Sequence, residues 1–180
     1  MENKKAEILL NAATKAIGNT FIEIGCIREK KEVPEDGFST YYLAKFCKEN
    51  NKIFKSFDIE KNNVDIANEV LLSHGFDPIV KQQDGKEALL ECGPIDFLFL
   101  DAHRIPAISY DQYIVAELAK NAIVVIDDAH TFDNNEFGKA TYLIYLFKKY
   151  NIPYEIKDTC PGFKTAIAYI KDGKKSGDLT

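Results

Sequence analysis

The chain has 180 residues, 46% of them hydrophobic and 28% charged, with a formal net charge of −5. That size suits one domain, 1–180, burying roughly two-thirds of its unfolded surface, and acids interleaved with bases leave no electrostatic footprint for nucleic acid or an anionic membrane. The first ten residues are too charged for a signal peptide and no apolar run approaches the roughly 20 residues that span a bilayer, so a cytoplasmic chain is expected.

Glu7–Ile17 carries Ile8, Leu9, Ala12, Ala13, Ala16 and Ile17 at helical spacing and stops at Gly18. Phe21, Ile22 and Ile24 then form a short apolar run suited to a buried central strand, interrupted by Glu23 and closed by Gly25. A carboxylate in such a strand needs a partner, and a glycine at its end lets another group approach the backbone. The segment Cys26–Asp36 holds seven charged residues in eleven. It reads as a solvated, mobile loop, either a flap over a crevice or a surface insertion. Gly37-Phe38-Ser39-Thr40 reads as the entry and cap of a helix that buries Tyr42, Leu43 and Phe46.

Lys52–Phe57 is a second strand ending on Asp58, and Asn62 or Asn63 can cap the following helix, which runs to His74 and stops at Gly75. Pro78–Gln83 reads as a third strand, with Asp84-Gly85 and a short helix, Lys86–Glu91, after it. Ile95–Leu100 is a nearly unbroken apolar run ending on Asp101. Ser109–Lys120 makes the next helix, Ala122–Ile126 the fifth strand before Asp127-Asp128, and Asn135–Tyr150 a long helix. Tyr154–Asp158 and Lys164–Ile170, separated by Cys160-Pro161-Gly162, fit an antiparallel hairpin, and the polar tail from Lys171 should fray, with 172–180 disordered. Cys26, Cys47, Cys92 and Cys160 form no CxxC pair and read as reduced thiols. Helices alternating with at least five buried strands predict an α/β, doubly wound, mostly parallel sheet of seven strands with a C-terminal antiparallel hairpin.

Parallel strands point the same way, so Asp58, Asp84, Asp101, Asp127 and Asp128 should gather along one edge of that sheet. Each acid alone can be a helix cap or a turn former. Together they repel unless ligands, cations or backbone donors compensate. A pyrophosphate-bearing dinucleotide would need G-x-G-x-x-G running into a helix, yet Gly25 is followed by Cys26-Ile27-Arg28 and no Walker lysine motif is present. A cofactor with ribose hydroxyls but no phosphate fits better, with Asp58 accepting from the ribose diol.

Six segments occur in order over about residues 20–130: Ile22-Glu23-Ile24-Gly25, Gly37-Phe38-Ser39-Thr40, Ser56-Phe57-Asp58, Gln83-Asp84-Gly85, Phe97-Leu98-Phe99-Leu100-Asp101 and Val125-Ile126-Asp127-Asp128. In that order the chain resembles the class I S-adenosylmethionine-dependent methyltransferases, in particular small O-methyltransferases with an E-x-G first motif followed by G-x-S-T. The resemblance implies a Rossmann-like methyltransferase fold and methyl transfer to an oxygen of a small-molecule acceptor. It implies that Glu23 and Gly25 line the methionine end of S-adenosylmethionine, that Ser39 and Thr40 take its carboxylate, that Asp58 holds the ribose with Ile59 against the adenine, and that Asp84 and Gly85 form the adenine rim. The chain departs from the family in the loop 26–36, which separates Gly25 from the Ser-Thr pair farther than usual.

Cation-dependent members hold magnesium with an acid after the fourth strand and a pair after the fifth, where Asp101, Asp127 and Asp128 stand. The resemblance therefore implies a Mg2+ site on these three, with Asp101 serving catalysis and cofactor binding as well. The alternative keeps Asp101 for the cofactor alone and lets Asp127-Asp128 cap the next helix. His103, two residues past Asp101, is the preferred general base. His74 stands at a helix end and is given no chemistry, Arg104 pairs an anionic substrate or neutralises the acids, and Phe132 and Asp133 are candidates for the acceptor wall. A short chain leaves open a homodimer whose partner copy closes the site. Two other functions compete: a non-catalytic S-adenosylmethionine- or nucleoside-binding protein, and a nicotinamide-dependent oxidoreductase, which the missing glycine trio disfavours.

Overall fold

A computed structural model of the chain describes residues 3–31, 38–131, 134–175 and 177. Expectations placed on Gly37, Phe132 and Asp133, and on residues 32–36 of the charged loop, lie outside the described residues. Among the described residues six helices and seven strands follow in the order α1 (Lys4–Ala13), β1 (Thr20–Ile24), α2 (Ser39–Glu49), β2 (Ile53–Asp58), α3 (Lys61–Ser73), β3 (Val80–Gln82), α4 (Gly85–Glu91), β4 (Ile95–Leu100), α5 (Pro106–Val115), β5 (Leu118–Ile126), α6 (Thr141–Lys149), β6 (Tyr154–Cys160) and β7 (Phe163–Ile170).

The strands form one sheet in the order β3-β2-β1-β4-β5-β7-β6. The first five run parallel, and β7 pairs antiparallel with both β5 and β6. This is the doubly wound sheet with a C-terminal hairpin that the apolar runs predict. Side chains alternate across it. Ile22, Ile24, Leu98, Leu100, Val124 and Ile126 pack under α4, α5 and α6, whereas Phe21, Phe97, Phe99, Ile123 and Val125 pack under α1 and α2. Phe21 and Phe97 stack at 4.9 Å between ring centroids. Because both faces are covered, the central strands read as apolar runs rather than as alternation. The chain order reverses between β1 and β4, and the crevice such a sheet offers a ligand opens there, beyond the carboxyl ends.

Boundaries differ from the sequence reading where a tertiary contact overrides the local pattern. Helix α1 starts three residues early, capped by Asn3 through a 3.0 Å bond from the Ala6 amide, and ends at Ala13 rather than Ile17, which is exposed. Helix α3 begins after Glu60, so neither Asn62 nor Asn63 caps it. Helix α5 begins at Pro106, whose fixed φ suits a first helical position, and gives way to β5 at Leu118 rather than after Lys120. The long helix expected from Asn135 is a 3-10 turn, Gly138–Ala140, leading into α6. Among the described tail residues, Lys174 exchanges backbone bonds of 2.7 and 2.9 Å with Leu118, and Gly177 donates to the Ile114 carbonyl. All four cysteines are free thiols. Among the described residues no helix is long and apolar enough to cross a membrane.

Candidate active site

Strand β1 ends on a glycine because its neighbours leave no room for anything larger. The Gly25 amide donates to the Phe57 carbonyl and the Asp101 amide to the Ile24 carbonyl, each at 2.8 Å, which pins the strand end between β2 and β4. Gly25 has a φ of +88°, and a Cβ there would strike the Asp101 carbonyl oxygen. Above it lies a crevice of about 270 Å³ bounded by the ends of β1, β2 and β4, the start of α4 and the side of α5.

Asp58 stands on this crevice with its carboxylate already oriented. It accepts from the Cys26 amide at 3.2 Å and the Glu60 amide at 2.8 Å, with the Asn63 side chain at 3.3 Å. Burial and the Asp58 charge push the Cys26 thiol up, so it is an inert neighbour rather than a nucleophile. Ile59 follows and is 60% exposed, an apolar flank for a flat ring. Asp84 caps α4 by accepting from the Lys86 and Glu87 amides, and with Gly85 it closes the same end of the crevice. The Gln112 carboxamide reaches there from α5. It is 4% exposed, its Oε1 has no hydrogen-bond partner among the described residues, and a Cβ on Gly85 would meet its Nε2 at 2.7 Å. A buried acceptor left open is costly unless something fills it.

Glu23, Ser39 and Thr40 do not line this crevice. They lie beneath it, fully or nearly fully buried. The Glu23 carboxylate accepts from Ser39 Oγ and Ser56 Oγ, both at 2.6 Å, tying the start of α2 to β1 and β2. Burial outweighs those bonds and pushes the Glu23 carboxyl up to about 7. Thr40 Oγ1 accepts the Ile27 amide at 3.0 Å, and Phe38, with a φ of +52°, occupies the helix cap in place of a hydroxyl residue. The two hydroxyls read as ligands for a carboxylate are thus committed to the protein. Arg28 lines the crevice instead, a residue the sequence reading passed over within the charged loop.

Asp101, Asp127 and Asp128 do converge at the ends of β4 and β5, each offering an oxygen within 4.8 Å of the others. Two lysines come with them. Lys139, in the 3-10 turn, reaches Asp101 Oδ1 at 2.5 Å and Asp128 Oδ2 at 2.9 Å, and Lys5, in the first turn of α1, reaches Asp127 Oδ2 at 2.5 Å. Thr165 of β7 donates to Asp127 Oδ1 at 3.1 Å. Lys139 is 4% exposed and Lys5 9%. Burial works to lower both ammoniums, but the facing carboxylates outweigh it and raise them, so both stay charged. Burial likewise works to raise Asp101, yet Lys139, Lys5 and Arg28 hold it below the ordinary carboxylate range. Asp127, the deepest of the three, is pushed up to about 6 by burial and by Asp101, against the pull of Lys5.

Magnesium asks for a near-octahedral oxygen shell with ligands at about 2.0–2.1 Å and retains several waters. Here an oxygen of each aspartate already faces an ammonium, and Asp127 takes a hydroxyl on its second oxygen as well. So packed, the set fits two ammonium ions and not a divalent cation. Asp127 and Asp128 do not cap α6 either: Asp128, with a φ of +47°, turns back to Lys139, and its carbonyl accepts the Lys139 amide at 3.2 Å.

Of the histidines, His103 lines the mouth of the crevice, exposed, with Nδ1 3.2 Å from the Ile105 amide. His130 belongs to a second pocket of about 250 Å³, which it shares with Arg104, Asp128, Lys139 and Phe163. Its ring meets Phe163 edge-on at 4.9 Å. His74 closes α3, its Nδ1 against the Val70 carbonyl, and lines neither pocket.

No protein-family model and no curated protein matches this sequence. Solved structures do. An O-methyltransferase from Bacillus cereus in complex with SAH aligns with a TM-score of 0.66 at 16% identity, over 95% of this chain and 82% of that one. A putative O-methyltransferase from Klebsiella pneumoniae gives 0.67 at 13%, over 95% and 81%. The fold is that of the class I methyltransferases. The O-methyltransferase TomG from Streptomyces achromogenes, involved in tomaymycin synthesis and solved in complex with SAM, gives 0.63 at 16%, over 93% and 79%. At these identities the likeness speaks for the methyltransferase fold, and the chemistry rests on the residues described above.

Proposed function

We propose that this chain is an enzyme that transfers a methyl group from S-adenosylmethionine to an oxygen of a small acceptor. The observation that carries the reading is the crevice over Gly25, which pairs one close backbone approach with a ribose-ready carboxylate, Asp58, and lacks a glycine-rich phosphate loop. When bound, the sulfonium supplies an activated methyl group, its S–C bond breaking as the O–C bond forms. Asp58 accepts from the ribose diol, Ile59 covers one adenine face, and Gln112 Oε1 accepts from the adenine amino group at the rim set by Asp84 and Gly85. Arg28 takes the methionine carboxylate, the part first assigned to Ser39 and Thr40. Glu23 serves one step back, holding α2 and β2 in register under the site.

The second pocket suits a small acceptor. The acceptor's proton goes to a ring nitrogen, and His103 at the crevice mouth is the leading candidate. His130, beside Lys139 in the second pocket, is the other, and comparing His103→Asn with His130→Asn separates them. Such a displacement needs positioning and fixed charge more than covalent chemistry from the protein. Magnesium has no part in this reading of the reaction, because the aspartates are engaged by lysines.

Calorimetric titration of S-adenosylhomocysteine against NAD tests the reading. Binding of the first and not the second is expected, with Asp58→Asn weakening it about tenfold, the loss of one charge-assisted hydrogen bond. Binding of NAD alone, or of neither, would sink it. Transfer of labelled methyl to acceptors in a mass-spectrometric screen then distinguishes an enzyme from a bare binder.

A further inference from the structure

The ends of β4 and β5 gather three carboxylates, and the packing brings two lysines to them, one from α1 and one from the 3-10 turn before α6. Neither lysine is a surface residue that happens to lean inward. Lys5 sits on the buried side of α1 beside Leu9 and Ala12, and Lys139 is delivered by a turn whose backbone is itself fastened to the cluster. That fastening depends on Gly138, whose φ is +48° and where a Cβ would strike the carbonyl oxygen of Asp128. The chain thus spends a strained turn and an otherwise apolar helix face on placing two ammonium groups among three aspartates.

We propose that the buried ammoniums of Lys5 and Lys139 take the place of a divalent cation in this site, so that the aspartate cluster is a metal-independent, internally charged platform. Lys139 touches Asp101, which lines the cofactor crevice, and itself lines the second pocket, so it stands at the junction of the two. Two of its three N–H donors are committed to Asp101 and Asp128. The third serves the acceptor oxygen, lending it the fixed positive charge that a metal would otherwise lend. Only this last role rests on the methyl-transfer reading. A divalent ion entering between the aspartates would face two like charges, each already held against a carboxylate.

The test uses the full chain with saturating S-adenosylhomocysteine and Mn2+ as the probe, followed by electron paramagnetic resonance. The unsubstituted chain is expected to leave Mn2+ free up to about 1 mM, whereas Lys139→Ala, with the carboxylates uncovered, binds one ion per chain about tenfold more tightly or better. Should Lys139→Ala fail to fold by circular dichroism, Lys5→Ala is read in its place. One Mn2+ held by the unsubstituted chain below about 1 mM would overturn the proposal, and so would indistinguishable titrations of chain and variant. The same comparison is run without S-adenosylhomocysteine, so a failure of that ligand to bind removes the methyl-transfer reading while the metal result stands on its own.

Discussion

The two halves of the sheet's carboxyl edge use the same residue type in opposite ways. On the β2 side, Asp58 and Asp84 are neutralised by backbone amides, those of Cys26 and Glu60 for Asp58 and those of Lys86 and Glu87 for Asp84, and their carboxylates stay open to the crevice. On the β4–β5 side, Asp101, Asp127 and Asp128 are neutralised by ammonium groups, Lys139 from the turn before α6 and Lys5 from α1. Amide donors carry no full charge and leave lone pairs for a ligand, whereas an ammonium claims the oxygen and fixes the charge balance of the whole cluster. A strand-end aspartate is therefore a ligand group or a scaffold group according to what the fold brings to it.

Breaking that contrast should cost most at Lys139. Lys139→Met strands two carboxylates in a buried setting and should lower stability by about 3–5 kcal/mol in urea unfolding. Lys61→Met, which removes the exposed pair with Asp65, should change it by less than about 1 kcal/mol. Equal losses at the two positions would erase the distinction drawn here.

Gly25, at the boundary between the halves, comes next. Gly25→Ala combines a disfavoured positive φ with a Cβ driven into backbone, and should cost roughly 3 kcal/mol and close the crevice to S-adenosylhomocysteine. Retained binding at full affinity would show that the backbone does not need to approach the ligand there.

The most specific effect is a pH dependence beneath the crevice. The Glu23 carboxyl rises from 4.5 to about 7 in the fold, so between those values the folded chain holds a proton that the unfolded chain has released. Stability from this group is then full below about 4.5 and is lost as pH climbs through 7, to the extent of about 3 kcal/mol. Glu23→Gln keeps a side chain of the same shape between Ser39 and Ser56 and should abolish the loss nearest pH 7, leaving the variant more stable than the parent at pH 8. A parent whose stability is level from pH 5 to 8 would show that Glu23 is ionised throughout.

Much of the architecture is legible in the sequence. Both-faced burial writes itself as apolar runs in Phe21–Ile24, Ile95–Leu100 and Ala122–Ile126, and acids at the ends of parallel strands are bound to share an edge. Gly25 is legible as a close approach for the same reason, since only a missing side chain permits it. Periodicity reports which face of an element is buried, however, and not which charges meet across the fold. Lys5 and Lys139 look like ordinary solvated lysines in a list of residues, and Ser39 and Thr40 look like an open helix cap. Only the packing of α1 and the 3-10 turn against the strand ends, and of α2 over Glu23, decided that the first pair lies buried among aspartates and that the second pair is already taken. Hydrophobic burial is encoded residue by residue, whereas the pairing of distant charges exists only once the chain has closed on itself.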